Sequence, residues 1–240
     1  MEYINREKAF AQRGGCIFHA HNFPKWAKGD PKKFFRAADK YEDKGNRRYM
    51  EIEFALPNEL KTVAQYRQII DALIAKHLKD HYYAYAIHDK IGVMSNGQHH
   101  PHVHIMFSER LIDDVEKEKK RTICNFFKYP LRLNVEASLE ERRKHGALKA
   151  RKWSDKNFLT ILRSDFAEIK NEVLAKNGFS IRVDHRTLKA QREEAELNGD
   201  RALRKQHFDL VMKLEALSTE TEELETKDAV QHSSTKGRKM

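Results

Sequence analysis

Cysteine is almost missing from this sequence. Its 240 residues hold only Cys16 and Cys124, with no C-x-x-C pair. Two isolated thiols argue against a disulfide scaffold and against a thiolate zinc site, and they suit a reducing cytosol. Long apolar runs are missing too, since no stretch approaches the ~20 residues of a membrane-spanning helix. The N-terminus, MEYINREKAF, is charged and lacks the apolar centre of a signal peptide. These absences predict a cytoplasmic protein. Charge, by contrast, is plentiful: 34% of residues carry it, the net charge is +10 and the pI is near 9.4. Such an excess points first to phosphate-rich partners. The length allows one full domain plus an appendage, and 40% hydrophobic content supports a modest core.

Periodicity predicts the elements. Residues 2–12 read as a short helix that stops at Gly14-Gly15, and residues 13–31 read as a loop with basic and aromatic residues interleaved. A helix follows over Lys32–Tyr41. YMEIEFAL, residues 49–56, alternates as a strand, with Met50, Ile52, Phe54 and Leu56 on one face and Tyr49, Glu51 and Glu53 on the other. Residues 61–79 carry apolar side chains at spacings of three and four, which marks an amphipathic helix. YYAYAIH, residues 82–88, is a second strand, and residues 102–108 are a third, joined by a Gly- and Asn-containing hairpin loop. Residues 112–130 are weakly patterned. Residues 141–156 form a basic run, and residues 158–178 a helix stopped by Gly178. An irregular turn and more helical composition follow. There is no internal repeat.

GQHHPHVHIMFSER, residues 97–110, is the densest chemical signal. His102 and His104 are two residues apart on a strand, so both side chains leave one face, opposite Val103, Ile105 and Phe107. His88 closes the preceding strand, and the connecting loop is short enough for antiparallel pairing. Three imidazoles are thus placed to converge on one point of a sheet face. Imidazoles suit first-row divalent ions and leave coordination positions for water or phosphate oxygens. Glu51 and Glu53, together on one face of another strand, are placed to orient a ligand, to be a further ligand or to act as a base. His99 and His100 read as loop residues.

PHVHIMFSER preceded by YAIH resembles the histidine motif of the MobA/MobL family of plasmid relaxases, which belong to the wider HUH class of single-strand nucleases. FFRAADKYEDKGNRRYMEIEFALPNEL is similar to the family block that ends in a Glu-x-Glu strand, and IRVDHRTLKAQ to the block that closes the relaxase domain. MEYINREKAFAQ is similar to the early helix that carries the nucleophile. These blocks occur in family order over residues 3–190.

The resemblance implies an α+β fold, an antiparallel sheet with helices packed on one face, followed by a peripheral helical arm. The expected division is a relaxase domain over 1–190, an arm over 191–230 and a disordered basic tail over 231–240. Family members carry a further strand before the nucleophile, and this sequence begins two residues ahead of it, so the resemblance implies either a start that lies upstream or a domain without that strand. The resemblance makes His88, His102 and His104 ligands of Mn2+ or Mg2+, with Glu51 and Glu53 beside the metal and Tyr3 as nucleophile. The implied activity is nicking of one strand at a transfer origin through a 5′-phosphotyrosine, for conjugative mobilisation. The alternatives are a non-cleaving, N-terminally truncated single-stranded DNA-binding module and a rolling-circle replication initiator of the same class. The implied partners are origin DNA, accessory nicking proteins and a coupling ATPase. The expected DNA contacts are Trp26 and Lys28 early in the chain, Arg110 after the histidine strand, Arg142, Arg143, Lys149, Arg151 and Lys152 in the basic run, and Arg186 in the closing block, with Trp153 also available for stacking.

Overall fold

Among the described residues the chain forms four strands: β1 Cys16–His21, β2 Met50–Ala55, β3 His81–His88 and β4 His102–Leu111. The computed structural model of the chain describes residues 15–89, 99–118, 120–131, 137–197, 205 and 208–213. The strands form one antiparallel sheet in the order β1-β3-β4-β2. The outer strands β1 and β2 alternate between half-buried and exposed, whereas β3 and β4 are buried almost throughout. The inner pair therefore needs cover on both faces.

One face is covered by α2 (Val63–His77) and α6 (Phe158–Lys176). Tyr85, Ile87, Val103, Ile105 and Phe107 from the sheet meet Ile69, Ile70 and Leu73 of α2 and Leu162, Phe166 and Val173 of α6. A capping box fixes the start of α2: the Thr62 hydroxyl accepts from the Gln65 amide, and the Gln65 side chain accepts from the Thr62 amide. The structure adds a second, smaller cluster in which α1 (Pro31–Tyr41) and α4 (Ile123–Phe127) bring Phe34, Ala38, Phe126 and Phe127 against Tyr82, Ala86 and Met106. Met106 points opposite to Ile105 and Phe107, so this cluster lies on the other face, the one His102 and His104 share.

Two expectations change. Residues 13–31 are not all loop, because Cys16–His21 pairs with β3 across a bulge between Cys16 and Phe18. Its inward side chains are Phe18 and Ala20, and its exposed ones include His19 and His21, so polar residues concealed the alternation. The weakly patterned 112–130 region holds two five-residue helices, α3 (Asp114–Glu118) and α4, the second capped by Thr122. The basic run contains α5 (Leu139–Lys144) and a 3-10 turn at Arg151–Ser154 that buries Trp153.

The chain divides into two units, Met1–Asp184 and His185–Met240. The second contains α7 (Leu188–Leu197), laced by the pairs Arg186–Glu194 and Arg192–Glu196. The early helix with Tyr3, the β3–β4 loop at 90–98, most of the expected arm and all of the tail lie outside the described residues. Among the described residues no helix is long and apolar enough to cross a membrane.

Candidate metal centre

Strand register assembles the three histidines. His88, the last residue of β3, pairs with His102, the first of β4, and His104 lies one step further along, opposite Ala86. The three rings form a nearly equilateral triangle, with centroids 5.2 Å apart for His88–His102, 5.0 Å for His88–His104 and 5.2 Å for His102–His104. One nitrogen from each ring falls within 4.8 Å of the others. His88 and His104 are buried and His102 is half-buried.

The surroundings prepare two rings for coordination. Nδ1 of His102 lies 2.8 Å from the His100 carbonyl, which can only accept, so this nitrogen carries the proton. Nδ1 of His104 lies 2.8 Å from Glu51 Oε1 and donates to that carboxylate. In a neutral ring the lone pair is then on Nε2, and a carboxylate behind an imidazole also raises its basicity as a ligand. Glu53, the cross-strand partner of His104, keeps its carboxylate 3.8 Å away and more than half exposed. Three imidazoles, two of them with fixed tautomers, and a supporting carboxylate fit a first-row divalent cation.

The expected DNA contacts fare differently. Arg110 is corrected: its side chain is 1% exposed and fully engaged. Its guanidinium clamps Glu42 at 2.9 and 2.6 Å and donates to the carbonyls of Ala147 and Phe127 at 2.6 and 2.7 Å. A strand longer than the alternation implied carries this arginine inward, so it cannot reach a phosphate. Trp26 stacks on Phe34 at 5.4 Å and meets Phe127 edge-on, which ties it to the smaller cluster. Trp153 is buried and donates Nε1–H to His81 Nε2 at 3.2 Å. Lys28 and Arg151 are exposed. Arg142 pairs with Asp114, Arg143 donates to the Lys120 carbonyl, and Lys149 lies 3.4 Å from Glu42. Lys152 donates to the His77 carbonyl and lies over the Trp153 and Phe158 rings, and its burial lowers its pKa. Arg186, in the second unit, pairs with Glu194 at 2.6 Å.

Arg47 went unnoticed in the sequence. It pairs with the buried Glu109 and, with Lys149 and Arg151, lines an open cavity of about 490 Å³; none of the three histidines lines it. His19 and His21 also escaped notice, although HAH repeats the H-x-H spacing of His102 and His104.

The MobA/MobL family model matches residues 2–199. The chain is 32% identical over 194 residues to a 43 kDa relaxation protein of Salmonella typhimurium, covering 79% of this chain and 50% of that protein. It is 30% identical over 245 aligned positions to mobilization protein A of Escherichia coli, covering 96% of this chain and 32% of that protein. The chain thus spans half or less of the length of these relatives. Its fold is similar to that of a chain from a solved structure described as the molecular basis of vancomycin resistance transfer in Staphylococcus aureus, with a TM-score of 0.50, 18% identity and coverage of 73% of this chain and 78% of that one. With the family match running across most of its length, and with paired strands drawing its three motif histidines together, this chain belongs to the MobA/MobL family of relaxases and mobilization proteins.

Proposed function

We propose that this protein nicks one DNA strand at a transfer origin and holds the cut end as a 5′-phosphotyrosine. The observation that carries this reading is the triangle of His88, His102 and His104, backed by Glu51. Bound there, a divalent cation, Mn2+ or Mg2+, supplies positive charge against the non-bridging oxygens of the scissile phosphate. Tyr3, outside the described residues, is the proposed nucleophile. Its hydroxyl oxygen bonds to phosphorus while the bond from phosphorus to the 3′ oxygen breaks. A phenol with a pKa of about 10 must give up its proton to a base as it attacks. Glu53 has the more exposed of the two carboxylates near the rings and is assigned that role, while Glu51 orients His104. The departing 3′ oxygen takes up a proton and leaves as a hydroxyl. One phosphodiester replaces another, so the step is close to balanced in free energy and can run backwards to reseal the strand.

Exposed Lys28 and Arg151 are the proposed backbone contacts. The match to a relaxation protein and a mobilization protein supports origin DNA as partner, with accessory nicking proteins and a coupling ATPase completing the proposed assembly. The test is incubation with Mn2+ or Mg2+ and single-stranded origin oligonucleotides. A covalent protein–DNA adduct that is lost in Tyr3→Phe is the expected result. An adduct that survives in Tyr3→Phe moves the nucleophile elsewhere. Footprinting with no adduct in the wild-type protein marks a binding module.

A further inference from the structure

The strand that sequence reading mistook for loop puts a fourth histidine beside the centre. On β1, Phe18 and Ala20 pack into the α2–α6 core, so alternation turns His19 and His21 to the opposite face, the face of His88 and His104. His19 pairs with Ala86, Ala86 with His104, and His104 with Glu53. One row across the sheet therefore runs His19, Ala86, His104, Glu53. Adjacent strands lie about 4.8 Å apart, so His19 stands about 10 Å from His104 with only the methyl group of Ala86 between them. His19 is not one of the side chains whose nitrogens cluster there, yet it stands near enough to touch what an ion holds. His21, one step along, lies against Phe23, with ring centroids 5.6 Å apart. His19 is exposed.

We infer that His19 is a substrate-binding residue that hydrogen-bonds the phosphodiester backbone of single-stranded DNA next to the scissile phosphate, on the β1 side of the three histidines. The assignment rests on the reading that those histidines seat a phosphodiester. An imidazole offers an N–H donor in either protonation state, and a phosphate oxygen is the acceptor such a donor meets best. Because a backbone contact carries no sequence information, a pool of random oligonucleotides suffices as probe.

The test compares wild type, His19→Ala and His19→Asn, which keeps an N–H donor. Affinity for a fluorescein-labelled pool of random 30-nucleotide DNA is read by anisotropy with Mn2+ present, and affinity for Mn2+ alone by calorimetry. The expected result is a roughly tenfold loss of DNA affinity in His19→Ala, largely recovered in His19→Asn, with Mn2+ affinity unchanged in both. Wild-type DNA affinity in His19→Ala overturns the inference and leaves the nuclease reading standing. So does an equal loss in both variants, since it makes the imidazole ring rather than its donor the cause. Absence of Mn2+ and DNA binding in the wild type overturns both.

Discussion

His104 is held from behind by Glu51, and that single hydrogen bond decides how well the ring serves a cation. Glu51→Gln keeps the shape of the side chain and removes the charge that makes the imidazole a better donor. Its expected effect is a loss of about 10–100-fold in Mn2+ affinity by calorimetry, whereas Glu53→Gln, 3.8 Å from the same nitrogen, has a smaller effect. Equal losses would remove the distinction between the two glutamates. Arg110 gives the opposite lesson. Buried against Glu42, it is expected on replacement in Arg110→Met to lower stability by about 3–5 kcal/mol in urea unfolding, because Glu42 loses its bidentate partner and keeps only the longer contact to Lys149. Replacing both, as Arg110→Met with Glu42→Gln, should cost much less. The parity of His102 and His104 was legible because it depends on spacing alone. The burial of Arg110 was not, because its partner lies 68 residues away.

At the scale of elements, β2, β3, β4, α2 and α6 were legible from clean alternation or from spacings of three and four. β1 was not, since a six-residue edge strand with histidines on its open face shows little hydrophobic contrast. Nor were α3 and α4, each too short for a helical period to declare itself. The joint between β3, β4 and the Arg151–Ser154 turn has its own consequence. His81 donates Nδ1–H to the Ser108 carbonyl at 2.8 Å and accepts from Trp153 at Nε2, an arrangement only the neutral ring can make. Burial pushes its pKa below the usual imidazole value. The unfolded chain therefore binds a proton near pH 6.5 that the folded chain refuses. This contribution to stability is complete above about pH 6.5 and shrinks as the pH falls below it. Melting temperatures measured from pH 8 to pH 5 should drop on the acid side, and His81→Gln should drop less steeply. Parallel curves for the two proteins would count against this role.

For the whole molecule, composition pointed to a phosphate-rich partner and the histidine spacing to the three-histidine cluster, but neither said which basic residues face outward. Of the arginines and lysines expected at DNA, several are committed to Asp114, Glu42 or backbone carbonyls, so charge alone overstated the interface. The net charge of +10 still predicts that affinity for single-stranded DNA falls steeply between 50 and 200 mM salt, with a logarithmic slope of about −0.7 for each phosphate neutralised. Anisotropy titrations would give that slope, and a flat dependence would argue against a phosphate-backbone partner. All of the proposed chemistry depends on one ion shared by three rings. The most direct measurement is an anomalous difference map from crystals grown with Mn2+. The account predicts a single strong peak bonded to His88, His102 and His104, about 2.1 Å from one nitrogen of each. A map with no peak there, or with the ion on other residues, would contradict it.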